Sequence, residues 1–245
     1  IKRIIKSRSK YLYYNYKSAS PQPDGGVQLQ FHESTVRFKI LMGSPRSSKT
    51  VTAEQEICWY MTGEHPYIKM KTPNYGWYIV PSFNKVRESG GYWQRLRKHL
   101  PPERFRFISS SNNLFKVIDR ATKSEFTFKS IENKLEDFGG VAIDWFLFDE
   151  RSHRPEVREQ LRMRVATTRG RGIYTMDRFE SDDWVTELTN TKLDGEPLAK
   201  VWKLDARDNK YIDEEERRQL MAEMDEIAQS RHIYGIAVEV GKRYL

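Results

Sequence analysis

The segment from Gly43 to Thr50 constrains the fold of this chain more than any other. It reads GSPRSSKT and separates an apolar run, Arg37 to Met42, from a pattern with helical spacing. A strand, a loop and a helix in this order form a phosphate site, because backbone N–H groups at the helix start cradle phosphate oxygens. In such loops a lysine reaches the terminal phosphates and a hydroxyl binds Mg²⁺. The pattern therefore predicts a nucleoside triphosphate site in which Lys49 and Thr50 have these two roles.

One position departs from the pattern G-x-x-x-x-G-K-[ST], because Ser48 stands where the second glycine is usual. Glycine allows close backbone approach and unusual dihedral angles. Serine is small enough for the loop to survive, at a cost on the order of 1 kcal/mol if its φ is positive. The substitution leaves three interpretations open: a working phosphate loop, a degenerate nucleotide-binding module that does not hydrolyse, and an incidental serine-rich turn.

A second acidic motif lies much later in the chain. The apolar run Trp145-Phe146-Leu147-Phe148 ends in Asp149-Glu150. A carboxylate at a strand end binds the Mg²⁺ shell, and an adjacent glutamate polarises water. A water-activating residue next to Asp149 favours hydrolysis over the transfer of phosphate to another substrate. The two motifs together predict a nucleoside triphosphatase.

Strand and helix patterns alternate along the chain, which predicts an α/β fold with a mostly parallel sheet flanked by helices. Apolar runs predict strands at 37–42, 76–80, 142–148, 173–176 and 200–204. Helical spacing predicts helices at 49–61, 93–100 and 155–164. Three short runs separated by polar turns predict antiparallel strands at 104–108, 114–118 and 125–128.

The composition excludes several classes of protein. Lys and Arg total 42 against 34 Asp and Glu, a net charge of +8, which favours an anionic partner, although a solvated basic surface gives the same balance. Hydrophobic residues make up 38%, too many for a disordered chain. With no apolar run of roughly 20 residues and no secretory signal, we expect a soluble intracellular protein. Cys58 alone cannot form an internal disulfide, and no Cys/His group has zinc-like spacing.

Both ends differ from the middle in composition. Lys and Arg interleave with Tyr11, Tyr13, Tyr14 and Tyr16 before a Pro/Gly-rich break; these tyrosines either stack on bases or pack on the domain, and we favour packing slightly. Near the other end, Asp213 and Glu216 fit a capping box before an amphipathic helix. We therefore predict an arm at 1–26, a core at 27–206 and a helical lid or connector at 207–245.

Several segments together carry a resemblance to a known family. They are Gln28-Leu29-Gln30-Phe31-His32, FKILMGSPRSSKT at 38–50, Trp59 with TGEHPY at 62–67, and FGGVAIDWFLFDE at 138–150. From about Val27 to Gly241 the chain resembles the ATPase domain of the large terminase subunit of tailed bacteriophages. The resemblance implies a P-loop ATPase of the additional-strand (ASCE) type.

The resemblance also implies roles for individual residues. Gln28 corresponds to a glutamine that reads adenine, with an ordinary polar turn residue as the alternative. Arg46 corresponds to the arginine that reaches the γ-phosphate, with a surface basic residue as the alternative. Asp149 would complete the Mg²⁺ shell, Glu150 would orient the attacking water, and Thr175 is the best candidate for the coupling position. The nucleotide-binding set is Gln28, Gly43, Ser44, Pro45, Arg46, Ser47, Ser48, Lys49 and Thr50.

At the level of the whole protein, the resemblance implies an ATP-hydrolysing motor that drives double-stranded DNA into a procapsid in the host cytoplasm. Its implied partners are DNA, the portal protein, the small terminase subunit and further copies of itself in a ring, with no membrane. A helicase or remodelling ATPase remains an alternative. The residues after Gly241 cannot supply the family's nuclease domain, so we expect no nuclease activity from this sequence. Phe138-Gly139-Gly140 also lacks the arginine that several terminases carry before the second motif.

Overall fold

We describe a computed structural model of the protein that defines residues 11–20, 22, 24–150, 154–177, 183–206, 209–215 and 218. The chain divides into two compact units. The first contains the described residues up to Lys17 together with Ala53–Tyr174, and the second contains Ser18–Thr52 with the described residues from Thr175 onward.

The helices and strands follow one another in the order that the sequence predicts. In chain order they are α1 (Leu12–Asn15), α2 (Gly26–Glu33), β1 (Phe38–Gly43), α3 (Lys49–Thr62), β2 (Tyr75–Val80), α4 (Phe83–Arg87), α5 (Tyr92–His99), β3 (Phe105–Ser109), β4 (Phe115–Asp119), β5 (Glu125–Ser130), β6 (Trp145–Asp149), α6 (Pro155–Ala166), β7 (Arg171–Met176), α7 (Asp183–Asn190), β8 (Lys192–Leu193), β9 (Glu196–Pro197) and β10 (Ala199–Leu204).

The first unit is built on strands that lie in the order β6-β2-β5-β4-β3. Strand β2 pairs in parallel with β5 and with β6, whereas β4 pairs antiparallel with β3 and β5. The three antiparallel strands predicted from the short runs are therefore confirmed, with boundaries shifted by one or two residues. All five residues of β6 are buried, as expected of a strand that is covered on both faces.

The second unit contains β1 and β10, which pair in parallel from Phe38 opposite Ala199 to Gly43 opposite Leu204. Helix α2 is held beside this pair by Lys39, a lysine of β1 whose side chain is fully buried. Its Nζ donates 2.8 Å to the carbonyl oxygen of Phe31 in the last turn of α2. A cation there satisfies a carbonyl that the helix leaves without an intrahelical donor.

The tyrosines of the arm that the structure describes pack on the first unit. Tyr11 and Tyr13 are buried, and the Tyr13 hydroxyl donates 2.6 Å to Glu64. The guanidinium of Arg104 lies 5.5 Å from the Tyr13 ring and bonds to Glu64 at 2.8 Å. Packing is thus the favoured alternative for these rings, while the basic residues at 2–10 lie outside the described part of the chain.

Two features of the second unit were not predicted. Helix α2 covers residues that the sequence treats as the start of the compact domain, and α7 is followed by the two-stranded hairpin β8–β9. The predicted lid helix lies outside the described residues except for its start, where Asp213 Oδ1 accepts 2.7 Å from the Glu215 N–H. The three-part division of the chain stays a prediction. None of the helices in the described ranges is long and apolar enough to cross a membrane.

Candidate nucleotide site

The segment Gly43–Thr50, here called the phosphate loop, connects the end of β1 to the start of α3. A glycine is required at its first position. A Cβ on Gly43 would lie 2.6 Å from the carbonyl oxygen of Leu204 and 2.6 Å from Ser47 Oγ. Both distances are shorter than any ordinary contact, so the loop and β10 pack closely only because position 43 has no side chain.

Two residues of the phosphate loop adopt the left-handed conformation that L-residues rarely take. The φ angle is 64° at Arg46 and 67° at Ser48. In the other unit, Glu150 has a φ of 70° directly after β6. Such strained backbone collects at functional sites, where the surrounding structure enforces it. All three residues were assigned to the site from sequence.

Lys49 binds the loop and a residue far from it in sequence. Its Nζ donates 2.8 Å to the carbonyl oxygen of Gly43 and 3.0 Å to that of Ser44. A third bond of 2.7 Å goes to Oδ1 of Asp177, the residue that follows β7. The three donors of the ammonium are thus directed at two loop carbonyls and one carboxylate.

Gln28 lies on α2 with only 2% of its surface exposed. Its Oε1 accepts from the Ala19 N–H and, at 2.7 Å, from Ser18 Oγ. Its Nε2 donates 2.6 Å to Ser48 Oγ and 2.7 Å to Thr52 Oγ1. The side chain therefore connects the segment before α2 to the phosphate loop and to the first turn of α3. Adenine reading by Gln28 stays a prediction.

The residues after β10 are also bonded to the phosphate loop. The Ala206 N–H donates 3.2 Å to Ser44 Oγ, and Asn209 Nδ2 donates 2.7 Å to the carbonyl oxygen of Arg46. The bond from Asn209 is made at one of the two left-handed positions, and it helps to hold the turn in that conformation.

A pocket of about 330 Å³ opens beside the phosphate loop, lined by Val27, Gln28, Ser47, Ser48 and Asp205 among others. Its volume is at the lower end of the range of small-molecule sites. The Oγ of Ser47 is buried here and has no hydrogen-bond partner among the described residues. A buried donor without a partner costs free energy, so this hydroxyl fits an anionic ligand such as a phosphate.

In the first unit, Asp149 ends β6 with 3% of its surface exposed, and Glu150 after it is exposed. The hydroxyl of Tyr92, on α5, is hydrogen-bonded to the Asp149 carboxylate. Burial raises the pKa of Tyr92, and the negative charges of Asp149 and Glu150 raise it further. The phenol therefore stays protonated and acts as the donor to Asp149.

A buried ion pair lies beside Tyr92. Glu54 of α3 is fully buried, and its Oε1 is 2.7 Å from Nη2 of Arg95. The same guanidinium lies 4.6 Å from the centre of the Tyr92 ring, and the Tyr78 hydroxyl donates 3.0 Å to Glu54. Burial raises the pKa of Glu54, but the Arg95 charge and hydrogen bonds from His99 and Arg95 outweigh it, so the pKa falls to about 2.

The structure brings some of the predicted residues together and adds others. Gln28, Ser48 and Lys49 form one bonded group in the second unit, while Asp149 and Glu150 end β6 in the first. Thr175 is fully buried in β7. Sequence reasoning did not find Asp177 or Tyr92. The only signal for Asp177 was its place at the end of a predicted strand, where parallel sheets carry their ligand-binding residues.

Comparison with solved structures identifies the fold. The ATPase domain of the large terminase of Thermus phage P74-26 has a TM-score of 0.63 and 15% identity over 89% of this chain and 99% of that chain. The large terminase of another thermophilic bacteriophage has a TM-score of 0.70 and 15% identity over 87% of this chain and 53% of that chain. The ADP complex of this second terminase gives 0.66 and 16% over the same shares.

These likenesses confirm the predicted fold class, an α/β P-loop ATPase fold of the additional-strand type with a large mixed sheet flanked by helices. The chain spans almost all of the P74-26 domain and about half of the second terminase. No curated protein sequence matches it. The family model that describes the N-terminal part of the terminase large subunit, T4-like-virus type, matches residues 40–244, so the chain belongs to this family.

Proposed function

We propose that this chain is the ATP-hydrolysing motor domain of a phage terminase large subunit, which drives double-stranded viral DNA into a procapsid. The observation that carries the proposal is the phosphate loop itself. It is folded between β1 and α3, with strained backbone at Arg46 and Ser48 and with Lys49 in the lysine position of the motif. Membership of the terminase family supports the motor function.

ATP is the nucleotide that the proposal assigns to this loop. The second terminase has the same fold in its complexes with ADP and, at 14% identity, with ATP-γ-S, which supports nucleotide binding. The backbone N–H groups of the loop and the Ser47 hydroxyl would donate to phosphate oxygens. Lys49 would exchange its bond to Asp177 for the terminal phosphates, because both are anions within reach of one ammonium.

Mg²⁺ fits the donors that the proposal assigns to it. This ion prefers oxygen ligands and is bound through one or two carboxylates plus substrate phosphates, so it needs no complete cage of protein side chains. The described residues contain no group of three or more His, Cys, Asp or Glu side chains that would hold a metal by themselves. The Thr50 hydroxyl and the Asp149 carboxylate would bind the ion. When bound, it neutralises charge on the phosphates during cleavage.

Glu150 is the proposed residue that orients the attacking water. Its carboxylate is exposed and follows the buried metal-binding candidate Asp149. Arg46, exposed in the phosphate loop, would reach the γ-phosphate, where a planar guanidinium binds phosphate oxygens in a bidentate manner. Thr175 is the proposed coupling residue between hydrolysis and movement.

Double-stranded DNA is the proposed substrate of the motor, and the net charge of +8 supports a polyanionic partner. The portal protein, the small terminase subunit and further copies of the chain in a ring are the proposed protein partners. The proposed location is the procapsid in the host cytoplasm. A DNA-packaging complex is the common setting of these partners.

Phosphate release from ATP, measured with Mg²⁺ and DNA at high protein concentration, tests the function. We expect hydrolysis by the unaltered chain, loss of nucleotide binding in Lys49→Ala, and nucleotide binding without turnover in Glu150→Gln. Glu159→Gln, an exposed glutamate of α6, is the matched control and should keep full activity. Unchanged phosphate release in Glu150→Gln would refute the assignment. Silence of the unaltered chain under these conditions would favour a non-hydrolysing nucleotide module, and strand separation on DNA would favour a helicase.

A further inference from the structure

Ser48 occupies the position in the phosphate loop where glycine is usual, and it adopts the conformation that glycine adopts without strain. Its φ of 67° places it in the left-handed region, which costs a residue with a side chain roughly 1–2 kcal/mol. The conformation persists only if neighbouring groups hold it. The question is therefore which side chains support Ser48.

Gln28 supplies this support through an amide whose orientation is fixed. The Ala19 backbone N–H can only donate, so the side-chain atom of Gln28 that faces it must be the carbonyl oxygen Oε1. The amide nitrogen Nε2 consequently faces Ser48 Oγ at 2.6 Å and Thr52 Oγ1 at 2.7 Å. Its two N–H groups both donate to hydroxyls of the loop–helix junction.

The two hydroxyls pass these bonds on to the backbone of the same turn. Ser48 Oγ donates to the carbonyl oxygen of Ser47, and Thr52 Oγ1 donates 2.9 Å to the carbonyl oxygen of Ser48. The Thr52 N–H also donates 3.0 Å to the Ser48 carbonyl. Gln28 thus holds the side chain of Ser48 directly and its peptide group through Thr52.

We propose that Gln28 is a positioning residue of the phosphate loop, paired with Ser48 so that the two together replace the usual glycine. The inference rests on the proposed function for the part that concerns nucleotide affinity. With glycine at position 48 the loop would need no such support, because glycine adopts a positive φ freely.

The pairing has a consequence for the choice of base. Both donors and both acceptor positions of the Gln28 amide are directed at Ser18, Ala19, Ser48 and Thr52. A purine edge would have to displace these bonds to be read by the same amide. Gln28 therefore supports the binding of the phosphates and does not discriminate adenine from guanine.

A double-mutant cycle of Gln28→Ala and Ser48→Gly tests the pairing, with ATP-γ-S and GTP-γ-S titrated separately by calorimetry. We expect Gln28→Ala to weaken both nucleotides equally, by about tenfold, the effect of losing one or two buried hydrogen bonds. In the Ser48→Gly background the same change should cost less than about twofold. Selective loss of ATP-γ-S that is the same in both backgrounds would show an adenine reader and overturn the proposal.

Thermal unfolding of the same four proteins gives a readout that needs no nucleotide. Gln28→Ala should lower the melting temperature more when residue 48 is Ser than when it is Gly, and equal losses would overturn the pairing. If Gln28→Ala does not fold, Gln28→Glu keeps the acceptor for Ala19 and removes both donors, so it should show the same dependence on residue 48. Gln30→Ala, an exposed residue of α2, is the control. If the unaltered chain binds neither nucleotide, the proposed function fails while the unfolding cycle still decides the pairing.

Discussion

Lys49 and Asp177 form an ion pair in which Nζ lies 2.7 Å from Oδ1. The lysine is the residue that the phosphate loop offers to the terminal phosphates, and the aspartate directly follows β7. The side chain of Lys49 is 12% exposed and that of Asp177 is 42% exposed. Since a phosphate and this carboxylate need the same ammonium, nucleotide binding and the ion pair exclude one another in part.

Asp177→Asn should therefore raise the affinity for ATP-γ-S. A partly exposed ion pair is worth about 1 kcal/mol or less, so we expect the dissociation constant to fall by up to about fivefold. Calorimetric titration measures it. Asp194→Asn, an exposed position in the β8–β9 turn where Asn tolerates the positive φ, removes the same charge elsewhere and should leave the affinity unchanged. Weaker binding in Asp177→Asn would contradict competition and make Asp177 part of the binding site.

Tyr92→Phe tests whether the Tyr92 hydroxyl positions Asp149. Removing the donor leaves a buried carboxylate with one bond fewer, which costs about 1–3 kcal/mol. We expect turnover at saturating ATP to fall by about tenfold and the Mg²⁺ concentration for half-maximal rate to rise. Affinity for ATP-γ-S without Mg²⁺ should stay the same.

Tyr75→Phe is the matched control, because its ring is 48% exposed and should tolerate loss of the hydroxyl. A Tyr92→Phe protein with unaltered Mg²⁺ dependence but a lower melting temperature would assign the residue to packing alone.

The pH dependence of stability should carry the signature of Glu54. The folded-state pKa of about 2 lies below the ordinary value of 4.5, so the unfolded chain binds a proton first as the pH falls. The stabilisation is therefore complete above about pH 4.5 and is lost between there and pH 2. Its size follows from the shift and amounts to about 3 kcal/mol.

Urea unfolding at a series of pH values measures this contribution. Glu54→Gln should flatten the profile between pH 4.5 and 2 relative to the unaltered chain, whereas Glu159→Gln should leave its slope unchanged. Arg95→Met leaves the Glu54 charge buried without its main partner, and we expect a loss of about 3–5 kcal/mol at neutral pH. An unchanged profile in Glu54→Gln would place the acid sensitivity on other carboxylates.

Much of the fold was predictable because apolar runs and turn residues mark strands locally, and β6 illustrates this with its continuous run from Trp145 to Phe148. Helix α2 was missed because Gly25 and Gly26 at its start read as a turn and its apolar face is narrow. The β8–β9 hairpin was missed although Asp194-Gly195 is a strong turn signal.

The site was predictable only where its residues are consecutive. The phosphate loop and Asp149-Glu150 are contiguous motifs, so spacing alone suggests their chemistry. Asp177 meets Lys49 across 128 residues of sequence, and no local pattern encodes such a pairing. The bonds of Gln28 to Ser48 are equally long-range in origin, since they depend on how α2 packs beside the start of α3.

Gly76 of β2 should tolerate no side chain, because the ring of Trp145 lies over it. A Cβ at position 76 would be 2.3 Å from Cε2 of Trp145, which is fully buried and bonded through Nε1 to Asn74 at 2.8 Å. Gly76→Ala therefore overpacks the core of the first unit, and we expect a loss of about 1–3 kcal/mol in the free energy of unfolding. Urea denaturation of Gly76→Ala, Trp145→Phe and the double variant measures it. The smaller ring should relieve the clash, so that Gly76→Ala costs less in the Trp145→Phe background; additive losses would mean that the ring does not cause the constraint.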